Sequence, residues 1–129
     1  MSRPPQPAKT ILVVDDDSAL RGTVCELLQS CGHEVLPARN ALEALQLSKT
    51  FPGRLDLIIL DLAMPLMDGV DLADRLRKKR PFRVLFMSGD PTVLGEDLGR
   101  RLRDAAFIQK PFTRDELVRQ VRQLLGAEA

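Results

Sequence analysis

The stretch "ILVVDDDSAL", residues 11–20, decides the reading of this chain: four apolar residues run straight into three carboxylates, Asp15, Asp16 and Asp17. The apolar part reads as a buried strand, "TILVV" over 10–14. Carboxylates a few ångströms apart repel one another and raise each other's pKa, so a strand that ends in three of them calls for a positive partner.

Outward from that stretch, four further apolar or β-branched runs bounded by turn residues read as strands: "HEVLPA" (33–38), "LDLIIL" (55–60), "RVLFM" (83–87) and "AAFIQ" (105–109). Helical patterns lie between them. Leu20, Val24, Leu27 and Leu28 make the first apolar stripe, which "SCG" at 30–32 ends. A second helix starts at Asn40, capped by that side chain with Glu43 reaching back, and Leu42 and Leu45 are expected to face inward. A third follows Asp68 and Gly69 through Leu72 and Leu76 into "RKKR" (77–80). The last helix carries a capping box, Thr113 with Glu116, a Leu117, Val121 and Leu124 stripe, and Gly126 as its stop. "PTVLGEDLGRRLR" (91–103) is expected to be a frayed or mobile helix, since Gly95 and Gly99 each cost about 1 kcal/mol relative to alanine in a helix interior. Strands alternating with helices predict an α/β fold: a five-stranded parallel sheet, doubly wound (flavodoxin-like), with right-handed crossovers and helices on both faces. The third and fourth runs are the most continuously apolar and suit central positions.

The bulk numbers narrow the function classes. At 129 residues the chain is one domain with a real core, and 44% hydrophobic with 29% charged residues is the balance of a globular protein. No apolar run approaches the roughly 20 residues of a membrane span. Nineteen basic against eighteen acidic residues leave a net charge of +1, which gives no electrostatic case for nucleic-acid binding. "MSRPPQPAK" lacks the apolar stretch of a secretion signal, so residues 1–8 read as a disordered N-terminal tail and the expected location is cytoplasmic. Cys25 and Cys31 are not spaced as a zinc or redox pair, and Cys25 reads as a small buried apolar residue. His33, the single histidine, has no second histidine nearby to suggest a metal or general-base role.

In such sheets ligands bind beyond the carboxyl ends of the strands. There the first strand ends in Asp15, Asp16 and Asp17, the third in Asp61, the fourth in Ser88 and the fifth in Lys110 and Pro111. Each has an ordinary reading alone: Asp17 as a helix N-cap, Asp61 as a turn former, Lys110 with Pro111 as a loop, Asp68 as a cap. Their occurrence together at successive strand ends is what carries a site. Dense oxygen ligands select a hard cation such as Mg²⁺. Lys110 adds a second positive charge and Ser88 a donor, the equipment that receives a phosphoryl group, with Asp61 as the nucleophile.

These motifs resemble the receiver domain of bacterial two-component response regulators over about residues 9–126, with 127–129 as a short C-terminal tail. "ILVVDDD" is similar to the family's acidic pocket, "LIILDLAMPLMDG" to its phosphoacceptor segment, "VLFMSG" to the hydroxyl-bearing strand and "FIQKPFT" to the lysine-proline strand end. The "FMSG" and "QKPFT" wording is similar to receivers of hybrid histidine kinases. The resemblance implies phosphorylation of Asp61, with Mg²⁺ on Asp16, Asp61 and the backbone carbonyl of Ala63, and Asp15 reaching it through a water. It implies that Lys110 pairs with the phosphoryl group, that Ser88 swings toward it and that Phe107 moves into the vacated space, with a cis bond between Lys110 and Pro111. Serine keeps the donor where threonine is commoner, whereas phenylalanine at 107 removes the phenolic OH often found there. In the family it resembles, the positions that Ala63 and Asp90 occupy tune the acyl-phosphate lifetime.

The implied donor is a histidine kinase or histidine phosphotransfer protein, and the implied output is a downstream protein docking on the face of the 91–103 helix, the fifth strand and the last helix. The chain is expected to be a monomer or weak dimer, a signalling receiver rather than an enzyme with turnover; with only "AEA" after Gly126, it either works alone by contact or relay or is a piece of something longer. "RKKR" and "RRLR" (100–103) read as solvated helix faces. Two other readings stay open. Asp15-x-Asp17 at a strand end also suggests a haloacid-dehalogenase-like phosphatase with Asp15 as nucleophile, and an unphosphorylated binding adaptor would keep the pocket without the chemistry.

Overall fold

The computed structural model describes residues 9–62, 69–77, 82–89 and 105–126. Five parallel strands, β1 (Thr10–Val14), β2 (Glu34–Ala38), β3 (Leu57–Asp61), β4 (Arg83–Ser88) and β5 (Ala105–Gln109), form one sheet in the order β2-β1-β3-β4-β5. Four helices accompany them among the described residues: α1 (Ser18–Ser30), α2 (Ala41–Thr50), α3 (Gly69–Arg77) and α4 (Arg114–Leu124). The expected helix over 91–103, the residues Ala63, Asp68 and Asp90, both terminal tails and the basic stretches at 78–80 and 100–103 lie outside the described residues.

The period of two along each strand sorts the core into two layers. Leu12 and Val14, Ile58 and Leu60, Val84 and Phe86 point to the side covered by α2 and α3, where they meet Ala41, Ala44, Leu72, Ala73 and Leu76. Ile11 and Val13, Leu57 and Ile59, Leu85 and Met87 point to the other side, against Val24, Cys25 and Leu28 of α1 and Leu117 and Val121 of α4. Every residue of β1 and β3 is buried. That double coverage is why these runs are continuously apolar rather than alternating. β2, at one edge, is only partly covered, with Val35 and Ala38 buried and Glu34 and Pro37 exposed. Glu34 N donates to Lys9 O and Asp15 N donates to Ala38 O, so residues 34, 36 and 38 of β2 face β1. The nitrogen of Pro37 therefore lies on the open edge, where its missing N–H costs no ladder bond.

The helix ends follow their sequence signals. Asp17 caps α1, its carboxylate accepting from the amides of Ala19 and Leu20. At the other end Gly32, at φ 94°, closes a paired turn in which His33 N donates to Leu28 O and Gly32 N to Gln29 O. Thr113 accepts from the amide of Glu116 to start α4, and Gly126, at φ 92°, follows its end. Asn40 caps α2, but Glu43 reaches one residue further back than a capping box requires, accepting from the backbone N and Nε of Arg39.

Several boundaries shift. β2 starts at Glu34, so His33 precedes the strand, and β3 starts at Leu57, two residues late, because Asp56 turns its carboxylate onto the amide of Thr10. β4 extends through Ser88. Leu42 does not face inward: it is 65% exposed, while Ala41, Ala44 and Ser48 form the buried face of α2. Leu45 does face the core, partly buried against the same cluster, so the inward face of α2 centres on its small residues with Leu45 beside them.

Candidate functional site

β1 is followed in sequence by β2 on one side of it and by α2 and then β3 on the other, so the chain reverses direction across the sheet between β1 and β3. Sheets of this kind bind ligands beyond the carboxyl ends of the strands at such a reversal. Asp15 leaves β1 and Asp61 ends β3 on either side of it. Asp15, Asp16 and Asp61 each bring a carboxylate oxygen within 4.8 Å of the other two. Asp15 and Asp61 are buried and Asp16 is exposed at the mouth.

Lys110 closes the site from β5. Its Nζ lies 3.0 Å from Oδ2 of Asp61 and 3.4 Å from Oδ2 of Asp15. The bond from Lys110 N to Ser88 O (2.8 Å) fixes where that side chain leaves the strand, and the peptide bond from Lys110 to Pro111 is cis. Ser88, buried, ends β4 next to Asp61, whose register partner is Met87. Phe107 faces the α2 and α3 side and stacks on its cross-strand partner Phe86, ring centroids 5.6 Å apart at an interplanar angle of 24°.

The charges do not balance. With all three acids ionised, three carboxylates face one ammonium. Burial pushes the Asp15 carboxyl above the usual value; the Asp17 amide and Lys110 oppose this, and the charge of Asp61 adds to it. Burial pulls the Lys110 ammonium down, but the hydrogen bond to Asp61 and the charges of Asp15 and Asp61 outweigh it, so its pKa is raised and it stays protonated. All the converging anionic ligand atoms are carboxylate oxygens, and their excess charge is that of a divalent cation. A hard ion such as Mg²⁺ fits this donor set; thiolate or imidazole ligands, which softer metals prefer, are absent from it.

The structure thus brings Asp15, Asp16, Asp61 and Lys110 together and sets Ser88 on the adjacent strand end, as expected. Asp17 is spent on capping α1. Cys25 is buried, with its thiol pushed up by that burial and partly drawn back by Arg21. Sequence reasoning missed Arg21. Its Nη1 donates to the carbonyl of Asp15 at 2.8 Å, and the only signal in the sequence was a cation in the first helical turn, where the helix dipole disfavours one.

Residues 11–122 match the family model described as the response regulator receiver domain, and the chain belongs to that family. It is a phosphoacceptor receiver domain of two-component signalling, a class that binds Mg²⁺ at its aspartate cluster and interacts with histidine kinases and downstream effectors. It is 35% identical over 121 residues to the sensor kinase CckA of Brucella abortus, a match covering 90% of this chain and 12% of that protein. It is 36% identical to the DNA-binding transcriptional regulator NtrC of Azospirillum brasilense, covering 93% of this chain and 25% of that one. The chain therefore spans a quarter or less of the length of these two relatives. Among solved structures, the receiver domain of the hybrid histidine kinase CckA superposes with a TM-score of 0.76 at 33% identity, covering 90% of this chain and 98% of that one. The response regulator TrrA of Thermotoga maritima, determined with Mg²⁺ and BeF, gives 0.77 at 36% identity, covering 91% and 99%. No described helix is long and apolar enough to cross a membrane.

Proposed function

We propose that Asp61 accepts a phosphoryl group from a phosphohistidine on a histidine kinase or histidine phosphotransfer protein. The observation that carries this is the seat of Lys110 against Asp61 in a cluster with two further carboxylates. A carboxylate oxygen of Asp61 attacks phosphorus, the bond from phosphorus to the imidazole nitrogen breaks, and the nitrogen keeps the electron pair. Lys110, protonated and held at the end of β5, two strands away from β3, pairs with the phosphoryl oxygens as they arrive. Ser88 supplies a hydroxyl donor from β4, and Phe107 follows it inward along the side it shares with Phe86. Asp15, Asp16 and Asp61, with the carbonyl of Ala63, would hold Mg²⁺, which when bound neutralises charge on the transferring group. Hydrolysis of the acyl phosphate resets the domain, and the switched surface is read by a downstream protein.

Asp15 is a poor candidate for the nucleophile of a phosphatase. It is fully buried, one oxygen accepts from the Asp17 amide, the other faces Lys110, and burial favours its neutral form. The test is incubation with acetyl phosphate and Mg²⁺, followed by intact mass and peptide mapping. A phosphoryl adduct on the peptide containing Asp61, absent from Asp61→Asn, is expected. An adduct that persists in that variant or maps to Asp15 overturns the assignment. No adduct, together with no response to beryllofluoride and Mg²⁺, leaves the binding adaptor.

A further inference from the structure

The loop between β1 and α1 is pinned at nearly every polar atom of Asp15. Its amide donates to Ala38 O at 3.1 Å, its Oδ1 accepts from the amide of Asp17 at 2.9 Å, and its carbonyl accepts from Arg21 Nη1 at 2.8 Å. The last bond holds the peptide plane between Asp15 and Asp16, and that plane sets the direction in which the exposed Asp16 carboxylate leaves the backbone. Arg21 is the fourth residue of α1, a place where the helix dipole disfavours a cation. Its guanidinium turns back over the helix start instead of extending into solvent, so a cost in local helix preference accompanies a bond made at the acidic cluster.

We infer that Arg21 is a positioning residue for the acidic site: through the Asp15 carbonyl it orients Asp16, and thereby sets the affinity for the divalent cation. This rests on the receiver reading of the site. Two physical roles for Arg21 predict opposite signs. As a nearby charge alone, it repels a dication, so its removal tightens Mg²⁺ binding. As a brace for a ligand-bearing loop, it is an outer partner of the ligands, and its removal weakens binding.

The experiment measures Mg²⁺ affinity by calorimetry on wild type, Arg21→Met and Arg21→Lys, well below each melting temperature, with amide NMR dispersion reporting the fold. Methionine keeps a long unbranched stem and helix propensity without charge or donor, so the variant is expected to fold. Arg21→Met is expected to bind Mg²⁺ about tenfold more weakly. Arg21→Lys, which retains a donor and the charge, is expected to stay within about threefold of wild type. At saturating Mg²⁺, adduct formation from acetyl phosphate should return in Arg21→Met to near the wild-type rate, because Arg21 touches no reacting atom. Unchanged or tighter Mg²⁺ binding by Arg21→Met overturns the inference, as does a lysine variant weakened as much as the methionine one. A wild-type chain with no Mg²⁺ affinity overturns both this inference and the receiver reading, which separates the two failures.

Discussion

Asp56 and Asp61 flank the same strand, one before its first residue and one as its last, and the molecule treats them in opposite ways. Asp56 is surrounded by donors: Oδ2 accepts from the amide of Thr10 at 2.9 Å and Oδ1 faces Arg54 Nε at 3.2 Å, while its backbone joins β1 to β4 through Thr10 O and Arg83 N. Asp61 is placed among acids, with a lysine from a distant strand beside them. An aspartate whose oxygens meet local donors staples strands together. One that meets other carboxylates concentrates negative charge, a donor set that fits a hard divalent cation.

The largest expected effect exchanges the two positions. Asp61→Asn is expected to abolish the adduct from acetyl phosphate and Mg²⁺, whereas Asp56→Asn leaves it at the wild-type level; mass spectrometry of both variants with equal phosphate labelling would erase the contrast. Next, Lys110→Met removes the charge proposed to meet the phosphoryl oxygens, and the rate of labelling should fall about 100-fold, the scale of losing a preorganised donor. A quench-flow time course at saturating Mg²⁺ measures it. Asp56→Ala leaves the buried amide of Thr10 without its acceptor and should cost about 1–3 kcal/mol in urea unfolding, almost none of it from the exposed Arg54 pair.

The smallest effect concerns the same end of the sheet as Asp56. Burial lowers the pKa of His33, Asp56 opposes this and Lys9 adds to it, so the folded chain prefers the neutral ring. The unfolded chain takes up a proton near the ordinary value of 6.5, and stability therefore falls as pH drops below that point toward the folded pKa. The loss between about pH 7.5 and about pH 5.5 should be smaller in His33→Asn, read as the difference in thermal midpoints. Parallel midpoints for the two proteins would remove histidine from the account.

Strands were legible because double coverage leaves apolar runs with little else in them, and the site was legible because four such runs end in chemically matched residues. What escaped had no periodic or compositional mark. Leu42 outweighs Ala41 and Ala44 on any hydrophobicity count, yet the buried face of α2 is made by the small residues, with Leu45 partly buried beside them. Asp56 reads as part of an apolar run until its partner Thr10, 46 positions away, is known. Arg21 carries no such mark in the sequence, since nothing local reveals that its side chain turns back to a backbone carbonyl six residues earlier.

Pro37 has a consequence for the molecule in a crowded solution. A parallel sheet with an open edge is a template on which a second chain can add strands, and the outward rungs of β2 come from residues 35 and 37. With proline at one of them, an incoming strand finds a single amide, on Val35, and a ring where the next should be. At this edge of the sheet, strand addition meets one residue whose backbone nitrogen has nothing to offer.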